Sequence, residues 1–193
     1  MKTKHTISNL FPIPIYTTNI DREFTVEEID FVKQQKNDCY PNAGNITTNN
    51  SYILDKSEFK NINKFLKEHC QNYLEDIICP KDKNLKLYIT QSWLNYTETN
   101  QYHHKHHHPN SIVSGVLYFD TDKEKDKITF FNSEYKQIVP EVDEKKYNLF
   151  NSLNWYFPVK KGDLIMFPSS LVHQVETHQA TNTRISLSFN TFY

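Results

Sequence analysis

Along RISLSFN, residues 184–190, polar and apolar side chains alternate without a break. Successive residues of a strand point to opposite faces. Arg184, Ser186, Ser188 and Asn190 therefore share one face, and Ile185, Leu187 and Phe189 share the other, which is the core-packing face. The pattern is not isolated. From residue 86 the chain runs through KLYITQSWLNYT, SIVSGVLYFD, KITFFN, LNWYFPV, GDLIMFP, HQVETH and RISLSFNTFY. Each run is short, rich in aromatic or β-branched residues, and bounded by turn formers or charge. Many short strands of this kind predict a sandwich or barrel.

The first 85 residues read differently. TVEEIDFVKQQKN predicts a short helix, with Thr25 as N-cap and Glu28 three residues on, a capping box. SEFKNINKFLKEHCQNYLEDII predicts a longer one, because Phe59, Ile62, Leu66, Cys70, Tyr73 and Ile77 fall at helical spacing. His69 on that helix has no metal-spaced partner and reads as structural or exposed. The expected fold is mainly β with N-terminal helices, an antiparallel double-sheet roll with the helices on one outer face. We read 1–193 as a single domain, with 1–85 an N-terminal strand and helical buttress and 86–193 the core. Gly162 is expected at a turn into a strand. Gly115, inside a strand, is expected to lie close to something, a ligand or a tightly packed neighbour.

Charge is balanced, 22 Lys and Arg against 23 Asp and Glu, so nucleic acid is not indicated as a partner. Lys123, Lys125 and Lys127 alternate with acids and read as a solvated loop. Cys39, Cys70 and Cys79 form no close-spaced metal motif, and an odd count suggests no disulfide framework. The opening MKTKHTISNLFPIPIY, broken by Pro12 and Pro14, reads as neither signal peptide nor membrane span. These observations predict a cytoplasmic protein with no membrane partner, for which a homodimer is the default oligomer.

Five of the nine histidines fall in six positions, HHKHHH at 103–108. Parity puts His104, His106 and His108 on one face and His103 and His107 on the other. A strand end could then grip a metal through His104 with His106, or His106 with His108. A solvated polar loop with adventitious metal affinity is the bland alternative. His173 follows a Pro-Ser-Ser turn. Arg184 inside a strand is costly without an anion to pair with. Its planar fork takes a carboxylate in two parallel bonds, and a hydroxyl two residues on can add a third. The bland alternative there is a solvent-facing edge strand.

HHHPNSIVSGVLYFD and GDLIMFPSSLVHQVETHQATNTRISLSFN together resemble a family of Fe(II)- and 2-oxoglutarate-dependent oxygenases found in phages and marine bacteria. Its first block reads H-x-H-P-x-S-x-x-S-G-x-Y-Y, and its second G-x-L-x-x-F-P-S-x-x-x-H-x-V, ending in R-I-S-x-S-F-N. SWLN at 92–95 and NLFPIPIY near the start also resemble its leading segments. The resemblance implies a double-stranded β-helix (jelly roll, cupin-like) and a dioxygenase, by default a hydroxylase, in a bacterial or phage-infected host cell. It implies Fe(II) as metal, and 2-oxoglutarate, dioxygen and an unidentified primary substrate as partners. By the same resemblance His106, His108 and His173 would be metal ligands. Arg184 and Ser186 would hold the far carboxylate of 2-oxoglutarate, and Tyr118 and Asn95 would line its pocket.

The superfamily's usual iron site has two histidines and a carboxylate. Here His108 stands where the acid would be, so Asp120 or Glu176 from a loop could complete the site. Three imidazoles also suit zinc or nickel. Two other readings therefore stand beside the first: a three-histidine iron oxygenase that uses no 2-oxo acid, and a non-catalytic metal-binding jelly-roll module. The segment 132–157 is long for a hairpin connection. Its Tyr135, Tyr147, Phe150 and Trp155 could line a substrate entrance or belong to a self-packed excursion.

Overall fold

The computed structural model describes residues 4–132 and 141–193. The strands are β1 Tyr16–Asn19, β2 Cys39–Pro41, β3 Ile46–Thr48, β4 Tyr88–Thr97, β5 His103–His106, β6 Val113–Asp120, β7 Lys127–Phe131, β8 Asn154–Pro158, β9 Asp163–Pro168, β10 His173–Val175 and β11 Arg184–Phe192. The helices are α1 Val26–Gln35 and α2 Lys60–Tyr73. The strands form a seven-stranded sheet, β1-β9-β6-β11-β4-β3-β2, and a four-stranded sheet, β5-β10-β7-β8. Paired strands run antiparallel in both. From β4 onward the chain passes back and forth between the sheets, which is the jelly-roll path. The expected mainly-β roll is borne out, and so are the strands expected from residue 86 on.

The large sheet is buried on both faces, and each face has its own core. On the outer face Leu94, Tyr96, Leu117, Phe119, Leu164, Met166, Leu187 and Phe189 pack with Phe31, Val32, Phe59, Ile62, Leu66 and Cys70 of the helical layer. Between the sheets lies a smaller cluster of Tyr118, Ile128, Phe130, Val159, Ile165, Phe167 and Leu171. Gly115 belongs to the outer packing: a Cβ there would lie 2.2 Å from the Phe189 ring. Its close neighbour is thus that ring. Gly162 has φ +86 at the turn into β9, a backbone that glycine adopts without strain.

The capping box forms as expected. Thr25 Oγ1 accepts from the Glu28 N–H, and the Thr25 N–H donates to Glu28 Oε2. Arg22 then clasps the buried Glu28 through both guanidinium ends. Helix α2 departs from expectation at its end. Residues Leu74–Ile78 form a π-turn that closes with Cys79 in the left-handed region. A π-turn inserts one residue into the helical period. Leu74 and Ile78 turn toward the core, and Ile77, expected to be buried, is left exposed. His69 is structural: its Nδ1 meets Tyr16 Oη at 2.6 Å, tying α2 to β1. Strands β2 and β3, only three residues long, were not legible in sequence. Among the described residues no helix is long and apolar enough to cross a membrane.

Candidate metal centre

The inner face of the large sheet is polar because of its register. Ser186 on β11 stands opposite Asn95 on β4 and Tyr118 on β6, so three candidates form one rung across three strands. The next rung toward one end places Arg184 opposite Thr97, and the next toward the other places Ser188 between Trp93 and Val116. Facing them, β10 brings His173 opposite His106 of β5. Residues from both sheets line one narrow cavity of about 30 Å³, among them His103, His106, His108, His173, Asn95, Tyr118, Arg184 and Ser186.

The ligand nitrogens of His106, His108 and His173 lie within 4.8 Å of one another. Hydrogen bonds orient the rings. His106 Nδ1 meets the His104 carbonyl at 2.7 Å, and His173 Nδ1 meets the Leu171 carbonyl at 3.0 Å. A carbonyl only accepts, so each Nδ1 carries the proton and each Nε2 keeps a free lone pair. The His108 ring stacks 5.9 Å from Trp93. Burial, and then the neighbouring imidazoles, hold His173 down to about 3 and His108 to about 4, and burial lowers His106 as well. All three rings are therefore neutral at pH 7, the form that binds a divalent metal.

The expected parity of the histidine tract is overturned. On β10 two steps separate His173 from Val175, while their partners His106 and His103 are three steps apart. This irregularity adds a residue to β5 and re-aims what precedes it. His103 turns into the cavity and stacks 4.7 Å from His106. His104 turns toward an outer cleft that shares His103, Val175 and Arg184 with the cavity. His107 is exposed. His103, His104 and His106 form a second group of three, but the free Nε2 of His106 can serve only one group at a time.

Both candidate acids fall elsewhere. Asp120 accepts from Asn182, and Glu176 pairs with Lys127 at 3.0 Å. Among the described residues, both groups of three contain histidines only. The solvated-lysine reading holds in part, since Lys125 and Lys127 border the outer cleft. Of the loop aromatics, Tyr147, Phe150 and Trp155 are exposed and none lines the cavity, while Tyr135 lies outside the described residues.

Arg184 is buried to 3% exposure and bonds Thr97 Oγ1 at 3.2 Å. Burial lowers its affinity for a proton, against the support of a buried carboxylate, Asp126, at 3.4 Å. Sequence reasoning missed Asp126, which sits in DTDKEKDK and looked solvated, and His178, which bonds it at 2.9 Å. Two buried atoms beside Ser186, Tyr118 Oη and Asn95 Oδ1, have no hydrogen-bond partner among the described residues. Buried polar atoms are normally satisfied. These two fit a polar co-substrate between the metal group and Arg184.

A family model described as "Putative 2OG-Fe(II) oxygenase" matches residues 91–190, which spans β4 to β11. The chain belongs to this family. It is thus an oxidoreductase of an Fe(II)- and 2-oxoglutarate-dependent kind. Solved structures share the fold. HygX from Streptomyces hygroscopicus, with nickel and 2-oxoglutarate bound, is 11% identical with a TM-score of 0.62, over 93% of this chain and 82% of that one. A Pseudomonas putida prolyl-4-hydroxylase is 11% identical with a TM-score of 0.57, over 92% of each chain. A 2OG-Fe(II) oxygenase family oxidoreductase from Burkholderia pseudomallei is 14% identical with a TM-score of 0.58, over 84% of this chain and 75% of that one. At such identities the likeness is one of fold. No curated protein sequence matches the chain.

Proposed function

We propose that this oxygenase is a dioxygenase that hydroxylates an unidentified primary substrate, with 2-oxoglutarate and dioxygen as co-substrates and succinate and carbon dioxide as products. His106, His108 and His173 hold Fe(II). Arg184 and Ser186 hold the far carboxylate of 2-oxoglutarate, and Tyr118 and Asn95 line its pocket. The observation that carries this reading is the convergence of three oriented, neutral imidazoles with a buried arginine on the wall of one cavity. Three unpaired cysteines suit a reducing cytoplasm.

Bound iron would supply the redox chemistry that couples decarboxylation of the 2-oxo acid to oxygen insertion. The chain's own residues bind, orient and shield. The His104 and Leu171 carbonyls fix the ligand rings. Arg184 presents a planar fork, and the Ser186 hydroxyl lies two residues along the same face. The Tyr118 hydroxyl, whose ionisation is suppressed by burial, remains a neutral donor. Ile128, Val116 and Phe167 give the cavity apolar walls that limit water.

An anaerobic Fe(II) titration watched by visible absorption tests the reading. A charge-transfer band that needs both iron and 2-oxoglutarate, and is lost in His106→Ala and Arg184→Ala, is the expected result. Stoichiometric iron binding with no such band would favour a three-histidine oxygenase or a non-catalytic metal module instead.

A further inference from the structure

A carboxylate stands where it ought to compete with the co-substrate. Asp126 Oδ1 lies 3.4 Å from Arg184 Nη1 inside the protein, and both side chains are almost fully buried. An ionised Asp126 alone would neutralise the guanidinium and leave a second carboxylate little reason to bind.

His178 changes that charge balance. Its ring is fully buried between two oxygens: Nδ1 lies 2.9 Å from Asp126 Oδ1 and Nε2 lies 2.7 Å from the Asn182 carbonyl. The carbonyl accepts only, so Nε2 bears a proton. At Nδ1 a proton must also lie between ring and carboxylate. Either an imidazolium donates to a carboxylate, or a neutral carboxyl donates to a neutral ring. In both arrangements the Asp126–His178 pair carries no net charge. The pair is also well anchored. Asp126 Oδ2 accepts the Asp122 N–H at 2.8 Å, and the Asp126 carbonyl accepts the Val159 N–H. The His178 backbone bonds Gln101 and Asn100.

We propose that Asp126 and His178 are positioning residues, a charge-neutral pair that aims Arg184 while leaving its full positive charge for the far carboxylate of 2-oxoglutarate. The pair thereby sets the preference for a dicarboxylate over a 2-oxo monocarboxylate. The proposal rests on the role given to Arg184 above.

The test is calorimetric binding of two probes to the nickel-loaded protein: 2-oxoglutarate, and 2-oxopentanoate, which has a methyl in place of the far carboxylate. In His178→Phe the carboxylate of Asp126 is left bare against Arg184, and 2-oxoglutarate affinity should fall roughly a hundredfold. Affinity for 2-oxopentanoate should hold within about twofold, since its metal-chelating end is untouched. Asp126→Asn keeps the charge balance and loses only aim, so its loss should be about tenfold or less. Adding Asp126→Asn to His178→Phe should recover affinity to the level of Asp126→Asn alone. A merely structural role would make the double variant worse than either single one. Wild-type affinity in His178→Phe, or no recovery in the double variant, would overturn the proposal. Unchanged 2-oxoglutarate binding in Arg184→Leu would instead overturn the role of Arg184 itself. Should His178→Phe fail to fold, nuclear magnetic resonance of the wild type decides. A His178 ring protonated at both nitrogens, or a protonated Asp126, supports the pair, and a neutral ring beside an ionised carboxylate refutes it.

Discussion

The two faces of β11 are both buried, and by different means. Leu187 and Phe189 on one face are fully enclosed by the helical layer. There burial is its own reward, since each square ångström of apolar surface removed from water stabilises the fold. Arg184, Ser186, Ser188 and Asn190 on the other face are at most 9% exposed, yet they carry polar groups that must find partners. Some find them: Ser188 bonds Asn95, and Asn190 bonds Ser114. Others in the same wall, such as Tyr118 Oη, do not. Depth of burial therefore does not separate scaffold from site on this strand; the difference is that the inner wall holds polar atoms with hydrogen-bonding capacity to spare.

The comparison breaks most readily from the outer side. Phe189→Ala should lower unfolding free energy by about 3–5 kcal/mol, measured by urea denaturation, because it leaves a void under the helices. Ser186→Ala should barely change stability while weakening 2-oxoglutarate binding. If Ser186→Ala destabilised as much as Phe189→Ala, the distinction between the faces would fail.

The inner face should make the metal-free protein sensitive to acid. Histidine in the unfolded chain titrates near 6.5, whereas His108 and His173 in the fold take protons only near 4 and 3. Between those limits the unfolded state binds more protons, so stability falls as pH drops through 6.5 and levels off near the folded values. By pH 5 the loss should reach about 2 kcal/mol for each ring. Denaturation midpoints at pH 7 and pH 5, with His173→Phe as control, would show it. A flat profile would mean that the rings are not held neutral.

Gly115 sharpens the boundary between the faces. It stands in the cavity lining, while the place of its missing Cβ is occupied by Phe189. Gly115→Ala should cost about 1–3 kcal/mol by overpacking. Combining it with Phe189→Leu should recover part of that loss, and no recovery would place the clash elsewhere.

Where the sequence was readable, one local rule governed the outcome. Alternation in RISLSFN fixes which side chains share a face whatever packs on them, and the capping box at Thr25 needs only four neighbouring residues. Where it misled, a single inserted residue shifted the period: the irregularity in β5 turned His103 inward, and the π-turn exposed Ile77. Neither leaves a compositional mark, because the tract is histidine on both faces and the helix end is apolar on several.

The chain by itself determined that β11 has one apolar and one polar face, that histidines gather at 103–108, and that Arg184 sits in a strand. Only the tertiary structure decided that the polar face looks inward and that His173 meets His106 and His108. It also decided that Asp126, in a loop as polar as any on the surface, is buried between His178 and Arg184. Side-chain direction within a strand is set by neighbouring residues. The partners that Asp126 finds are set by segments more than fifty residues away, brought together when the two sheets close.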